Sequence, residues 1–122
     1  RTFLGIHTRG FPNLFLIAGP QGGGGSFNFT DAIDEHAEYV VWLLKTMKEN
    51  GKNRVDVLEE PEAEYTEHCR MADLSTRPLR DCVSYYNGHG DAQPGSLAYY
   101  GGGQWHRFRK RAQETLEPFI FA

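Results

Sequence analysis

The chain has 122 residues, room for a single domain with a modest core. Apolar residues make up 39% and charged residues 24%, which excludes a disordered tail, a collagen-like repeat and a disulfide-dense miniprotein. The net charge of −3 argues against a nucleic-acid module, because such modules bind by neutralising phosphates. No apolar run approaches the roughly 18–20 residues of a membrane span. The chain opens Arg1-Thr2-Phe3, without methionine, and is read as a processed product or a piece of a longer chain. Cys69 and Cys82 form no Cys-x-x-Cys pair, so free thiols in the cytoplasm are expected. None of the histidines at 7, 36, 68, 89 and 106 stands four residues from another, and no metal site is expected.

In chain order, Gly10-Phe11-Pro12-Asn13 reads as a turn. Residues 14–18, Leu-Phe-Leu-Ile-Ala, are continuously apolar, which predicts a strand buried on both faces and stopped by Gly19-Pro20. Four glycines follow at 22–25. A helix is predicted over 31–50, with Thr30 as N-cap and Ile33, Ala37, Val40, Leu44 and Met47 on its inner stripe. Lys45 and Lys48 suit its last turn, and Gly51 the position just past its end.

Residues 54–57 alternate like a short strand. Pro61 suits the first position of a second helix, which runs to about residue 74 with Tyr65, Cys69 and Ala72 inward. Residues 83–86 and 97–100 read as extended, with a loop at 87–95 between them. A last helix over 104–117 puts Trp105, Phe108, Ala112 and Thr115 on one side, and residues 119–121 form an apolar tail. The fold class is α/β, with mixed helices and short strands. A strand apolar on both faces needs flanking strands and two covering layers, so residues 14–18 are read as part of a larger sheet.

The strand–glycine–helix unit, residues 14–41, is where chemistry would sit. Bare backbone and the positive end of a helix can meet a polar or anionic ligand there, and a plain flexible connector is the other reading. It is neither a Walker loop nor a regular dinucleotide fingerprint, since Phe27 stands where the third glycine belongs. The carboxylates at 59–67 and the basic cluster Arg107, Arg109, Lys110 and Arg111 read as solvated helix faces. The pairs Tyr85-Tyr86 and Tyr99-Tyr100 fit sheet packing or stacking platforms. No Gly-x-Ser-x-Gly elbow surrounds Ser26, Ser84 or Ser96.

Taken in order, Phe3-Leu4-Gly5-Ile6, Gly10-Phe11-Pro12-Asn13-Leu14-Phe15 and Gly19-Pro20-Gln21 resemble the end of the FAD domain of flavin-dependent monooxygenases of the Baeyer–Villiger type. The resemblance continues through Asn28, Ile33, His36 and Glu38, then Glu62-Ala63-Glu64 with Glu67-His68. It reaches Ser84-Tyr85-Tyr86-x-Gly88, Pro94-Gly95 and Tyr100-x-Gly102-Gly103, and so covers almost the whole chain.

This resemblance implies the C-terminal part of a two-dinucleotide-domain flavoprotein that binds FAD and NADPH and uses O2 to insert oxygen into a ketone. Residues 1–50 would be the last strand and helix of the FAD-binding domain. Residues 51–122 would be a C-terminal segment with a cofactor-covering loop at 84–95. By matched position, Gly19, Pro20, Asn28, Phe29 and Tyr85 would contact cofactor, and Gly24, Gly25, Ser26 and Phe27 would line the substrate pocket. Four glycines replace the family's usual side chains there, which suggests a roomier wall. Catalytic residues, both Gly-x-Gly-x-x-Gly fingerprints and the family's Phe-x-Gly-x-x-x-His signature would lie upstream in the missing FAD and NADP domains. The chain alone is expected to be inactive and to self-associate through the exposed faces of residues 14–18. Flavin oxidation of nitrogen or sulfur, and a non-catalytic interaction domain, stay open as alternatives.

Overall fold

The structure is a computed structural model that describes residues 1–22, 28–76 and 104–122. Its elements are α1 (Phe29–Glu49), β1 (Val55–Val57), α2 (Glu59–Thr76), α3 (Gln104–Thr115) and β2 (Phe119–Phe121). The expected extended segments at 83–86 and 97–100, the loop at 87–95 and Cys82 lie outside the described residues. None of the described helices is long and apolar enough to cross a membrane.

α1 begins two residues earlier than its apolar pattern suggests. Asn28, not Thr30, is the N-cap: its Oδ1 accepts from Thr30 N at 3.0 Å. The end is as read. Gly51, at φ 63, donates to Lys48 O and Lys52 donates to Met47 O, a Schellman closure of the last turn.

The inner stripe of α1 is Ala32, His36, Tyr39, Leu43 and Met47. This corrects the expected stripe of Ile33, Ala37, Val40, Leu44 and Met47, of which Ala37 and Leu44 are exposed. Both sets satisfy helical spacing. The chain buries the one carrying Tyr39 and His36, because large rings with polar tips bury more surface and find partners inside. α2 and α3 bury the expected faces, Tyr65 and Cys69 on one, Trp105, Phe108 and Ala112 on the other; Thr115 is exposed.

The apolar tail is a strand. β2 pairs antiparallel with β1 in the register Val55↔Phe121, Asp56↔Ile120 and Val57↔Phe119. The other side of β1 is edged by Asn13, which donates through N to Val55 O and accepts at Oδ1 from Val55 N, both at 3.0 Å. Its Nδ2 donates to Asn53 O at 2.9 Å. The 10–13 turn is therefore docked as a short surrogate for a third strand.

Residues 14–18 do not form the expected strand. Leu16 N donates to Ile6 O at 2.9 Å, Leu14 N to Phe11 O, and Ala18 N to the His36 ring. With its backbone bonds sent to three places, no ladder forms, and Asn13 and Ala18 at φ 61 and 54 turn the chain at each end. The described residues supply no neighbouring strand for it. Phe15 packs edge-on against His7, with centroids 5.5 Å apart, while Leu14 and Ile17 stand outward with Phe11.

The core draws on the whole described chain. Phe3, Leu4 and Ile6 meet Tyr39, Leu43, Met47, Val55, Val57, Tyr65, Cys69, Trp105, Phe108 and Phe119. Phe3 sits edge-on to both Tyr65 and Phe119, at 5.8 and 6.0 Å. Trp105 Nε1 donates to Leu4 O at 2.9 Å, joining α3 to the first residues.

Candidate functional site

Gly22 N donates to Gly19 O at 3.0 Å, closing a β-turn with Pro20 and Gln21 at its centre. Proline presets φ at the first central position. Gln21 at the second has φ 65, a left-handed conformation that costs a non-glycine residue about 1–2 kcal/mol. Its anchors hold it there. Gln21 Oε1 accepts from Thr2 N and Thr2 Oγ1, each at 3.0 Å, and Gln21 O accepts from the Tyr65 hydroxyl at 2.6 Å. Thr2 Oγ1 also lies 2.8 Å from Pro20 O.

Glycine is required here by close packing. A Cβ on Gly19 would stand 2.5 Å from Gly5 O, and one on Gly22 would stand 2.7 Å from His36 Cε1. The turn is thus seated on the backbone at Gly5 and on α1. From α1, His36 Nδ1 accepts from Ala18 N at 3.1 Å, and Nε2 lies 2.9 Å from Gly22 O. The His36 ring is stacked on Trp105, centroids 5.2 Å apart and planes 15° apart. Burial holds its pKa below the ordinary histidine value, partly offset by the bond to Gly22.

The basic cluster on α3 is only partly the solvated face expected. Arg109 is mostly covered: it pairs with Glu35, reaches Glu38 at 3.7 Å and lies 5.5 Å over the Trp105 ring. Arg111 grips Glu64 with two bonds of 3.0 and 2.8 Å, tying α3 to α2. Lys110 remains exposed. Among the acidic residues of α2, Glu62 departs from the solvated reading. It is 4% exposed, and its Oε1 accepts from Arg9 N at 2.9 Å.

Four of the site residues expected from the sequence are described. Gly19 is spent on the contact with Gly5, and Pro20 is exposed beside it. Asn28 and Phe29 form the start of α1, where Asn28 Oδ1 caps Thr30 and Phe29 is 65% exposed. Tyr85, Gly24, Gly25, Ser26 and Phe27 lie outside the described residues. The supporting set was not singled out: Thr2, Gln21, His36, Tyr65 and Trp105. The His36–Tyr39–Leu43 spacing on α1 is helical, but so is that of the expected stripe, and it did not mark the set. Among the described residues no group of His, Cys, Asp and Glu could hold a metal. With its polar side chains locked in backbone bonds, the frame is built to position backbone rather than to react.

No family model matches the chain. A 2-oxo-Δ3-4,5,5-trimethylcyclopentenylacetyl-CoA monooxygenase of Pseudomonas putida is 29% identical over 119 residues, 93% of this chain and 21% of that protein. A Baeyer–Villiger monooxygenase of Pseudomonas aeruginosa is 33% identical over 85 residues, 69% of this chain and 16% of that protein. The crystal structure of OTEMO with FAD and NADP superposes with a TM-score of 0.81 at 28% identity, over 99% of this chain and 22% of that one. The chain is related to the Baeyer–Villiger monooxygenases. A closed cyclohexanone monooxygenase gives the same answer for the Baeyer–Villiger fold, at TM-score 0.77 and 26% identity, covering 23% of that structure. The chain spans about a fifth of the length of the Baeyer–Villiger relatives it matches.

Proposed function

We propose that this chain is the C-terminal part of a cytoplasmic Baeyer–Villiger monooxygenase that uses FAD, NADPH and O2 to convert a ketone into an ester or lactone. The observation that carries this reading is the superposition of 99% of the chain on an FAD- and NADP-bound relative at 28% identity. In this reading residues 1–50 close the FAD-binding domain, and residues 51–122 form the segment beyond it. FAD supplies the oxygen-activating chemistry when bound.

The described residues suit a flavin. The start of α1 offers first-turn N–H groups at the positive end of a 21-residue helix, fitting a carbonyl-bearing ring edge. Exposed Phe29 adds apolar surface there, and Asp31 is the acidic residue of that first turn. Asn28 and Phe29 would then present backbone to the ring, with Gly19 and Pro20 setting the adjacent turn. Gly24, Gly25, Ser26 and Phe27 would follow as pocket wall, and Tyr85 would reach NADP.

Expression of the longer reading frame containing this chain tests the reading. The expected result is a yellow protein whose NADPH oxidation rises with a cyclic ketone and whose lactone product carries one oxygen atom from O2. Oxidation confined to amines or sulfides, or no flavin at all, would overturn it. The 122-residue chain by itself is expected to hold no stoichiometric FAD and to leave NADPH untouched. It is also expected to self-associate through Phe11, Leu14 and Ile17, which are 61%, 44% and 46% exposed. A monomer in sedimentation at tens of micromolar would refute that.

A further inference from the structure

We propose that His36 is a tautomer-specific latch: only as the neutral imidazole with its proton on Nε2 does it hold the turn between Ala18 and Gly22 on α1. It thereby fixes where the chain leaves Gly22. Ala18 N can only donate, so Nδ1, 3.1 Å away, must be the bare nitrogen. Gly22 O can only accept, so Nε2, 2.9 Å away, must carry the hydrogen. One ring thus takes one bond from each end of the turn, and the other neutral tautomer would lose both. Protonation would set Nδ1–H against Ala18 N–H, two donors facing each other.

The surroundings discourage that protonation. His36 is buried and stacked on Trp105, whose ring already carries the Arg109 guanidinium at 5.5 Å. The charged and titratable groups around it are Glu35 and Tyr39 on α1, His106 and Arg109 on α3, and Tyr65 on α2. Glu35 is engaged with Arg109 and lies 4.0 Å from His106; the Tyr39 hydroxyl is bonded to His7 and that of Tyr65 to Gln21 O. None of these carboxylates or hydroxyls is bonded to the His36 ring, whose two nitrogens go to backbone. His36 is a positioning residue: it acts through the turn, and this role does not depend on the flavin reading.

Two-bond 1H–15N spectra of the histidine rings in the 122-residue chain at pH 7.5 test the latch first. The expected pattern is protonated Nε2 with Nδ1 accepting; an Nδ1–H ring at His36 would overturn the proposal. The second test is amide exchange at Ala18, read against Leu43 deep in α1. His36→Phe keeps a flat ring on Trp105 and should cost Ala18 about tenfold in protection relative to Leu43. Unchanged protection in a folded variant would overturn the latch. If that variant does not fold, His36→Asn decides. Its Oδ1 can take the place of Nδ1, so Ala18 protection should return at pH 7.5 and stop falling with acid, as it does in the parent chain. An acid-dependent loss at Ala18 relative to Leu43 that persists with Asn would also overturn it.

Discussion

Substituting Gly5 by alanine tests the packing of the 18–22 turn most directly. Gly5 sits at φ 70, and a Cβ there would overlap the N and Cα of Gly22 and stand 3.0 Å from Gln21 C. The left-handed conformation costs alanine about 1–2 kcal/mol, less about 0.4–1 kcal/mol regained from a stiffer unfolded chain. The overlap is with backbone, which cannot rotate away, so overpacking adds about 1–3 kcal/mol or more. The total is about 2–4 kcal/mol. Gly51 is the control, at φ 63 with nothing within 4 Å of a new Cβ, so Gly51→Ala should cost only about 1 kcal/mol. At this chain length 1 kcal/mol moves Tm by roughly 3–5 °C. Thermal melts should therefore show a fall of about 10 °C for Gly5→Ala against about 4 °C for Gly51→Ala. Equal shifts would mean that the turn does not press on Gly5, and the account of the site would fail with it.

Burial pushes the His7 pKa down to about 3, and the ring is hydrogen-bonded to the Tyr39 hydroxyl at 3.1 Å. The unfolded chain binds this proton more readily than the folded one, so the His7 contribution is complete above pH 6.5 and shrinks as pH falls toward 3. The slope is about 1.4 kcal/mol per pH unit, or about 2 kcal/mol lost at pH 5. Urea midpoints should show it, with a shallower slope in His7→Phe; an unaltered slope in that variant would contradict the assignment. Glu62→Ala strands the Arg9 N–H and should cost about 1.5–3 kcal/mol, while Glu62→Gln retains an acceptor and should cost clearly less in the same urea titrations. Burial lifts the Cys69 thiol to about 12, so iodoacetamide should label it only after unfolding, as peptide mapping would show; rapid labelling of the native chain would refute its burial.

The helices were legible because amphipathic spacing and end chemistry agree: Gly51 closes α1, and the Trp105–Phe108–Ala112 face of α3 is the one buried. Which of two valid stripes α1 buries was not, since that depends on partners for Tyr39 and His36 that lie 14 to 32 residues away. Residues 14–18 misled for a related reason. An apolar run states that burial is favourable, but a strand also needs a neighbour to pair with, and here the N–H groups of Leu14, Leu16 and Ala18 go to Phe11 O, Ile6 O and the His36 side chain. β2 was read only as an apolar tail because three residues carry too little pattern to reveal a strand without β1 beside them. Of the candidate site, the glycines and the helix start were visible. The frame behind them was not, because Thr2, Gln21 and Tyr65 look ordinary until the fold brings them together.

The bond from Trp105 to Leu4 spans 101 residues of sequence, and Phe3 packs on Phe119 across a greater span. Closing loops of that length is entropically costly and slow, whereas α1 can form from local contacts alone. On the ribosome Phe3 and Leu4 therefore emerge long before the Phe119 and Trp105 that meet them, although Tyr39 on α1 can already reach His7. A chain shortened by the last eighteen residues would keep the turn and most helical sequence, yet lose Trp105, Phe108 and Phe119 together and with them the bond to Leu4 and the rings packed on Tyr65 and Phe3.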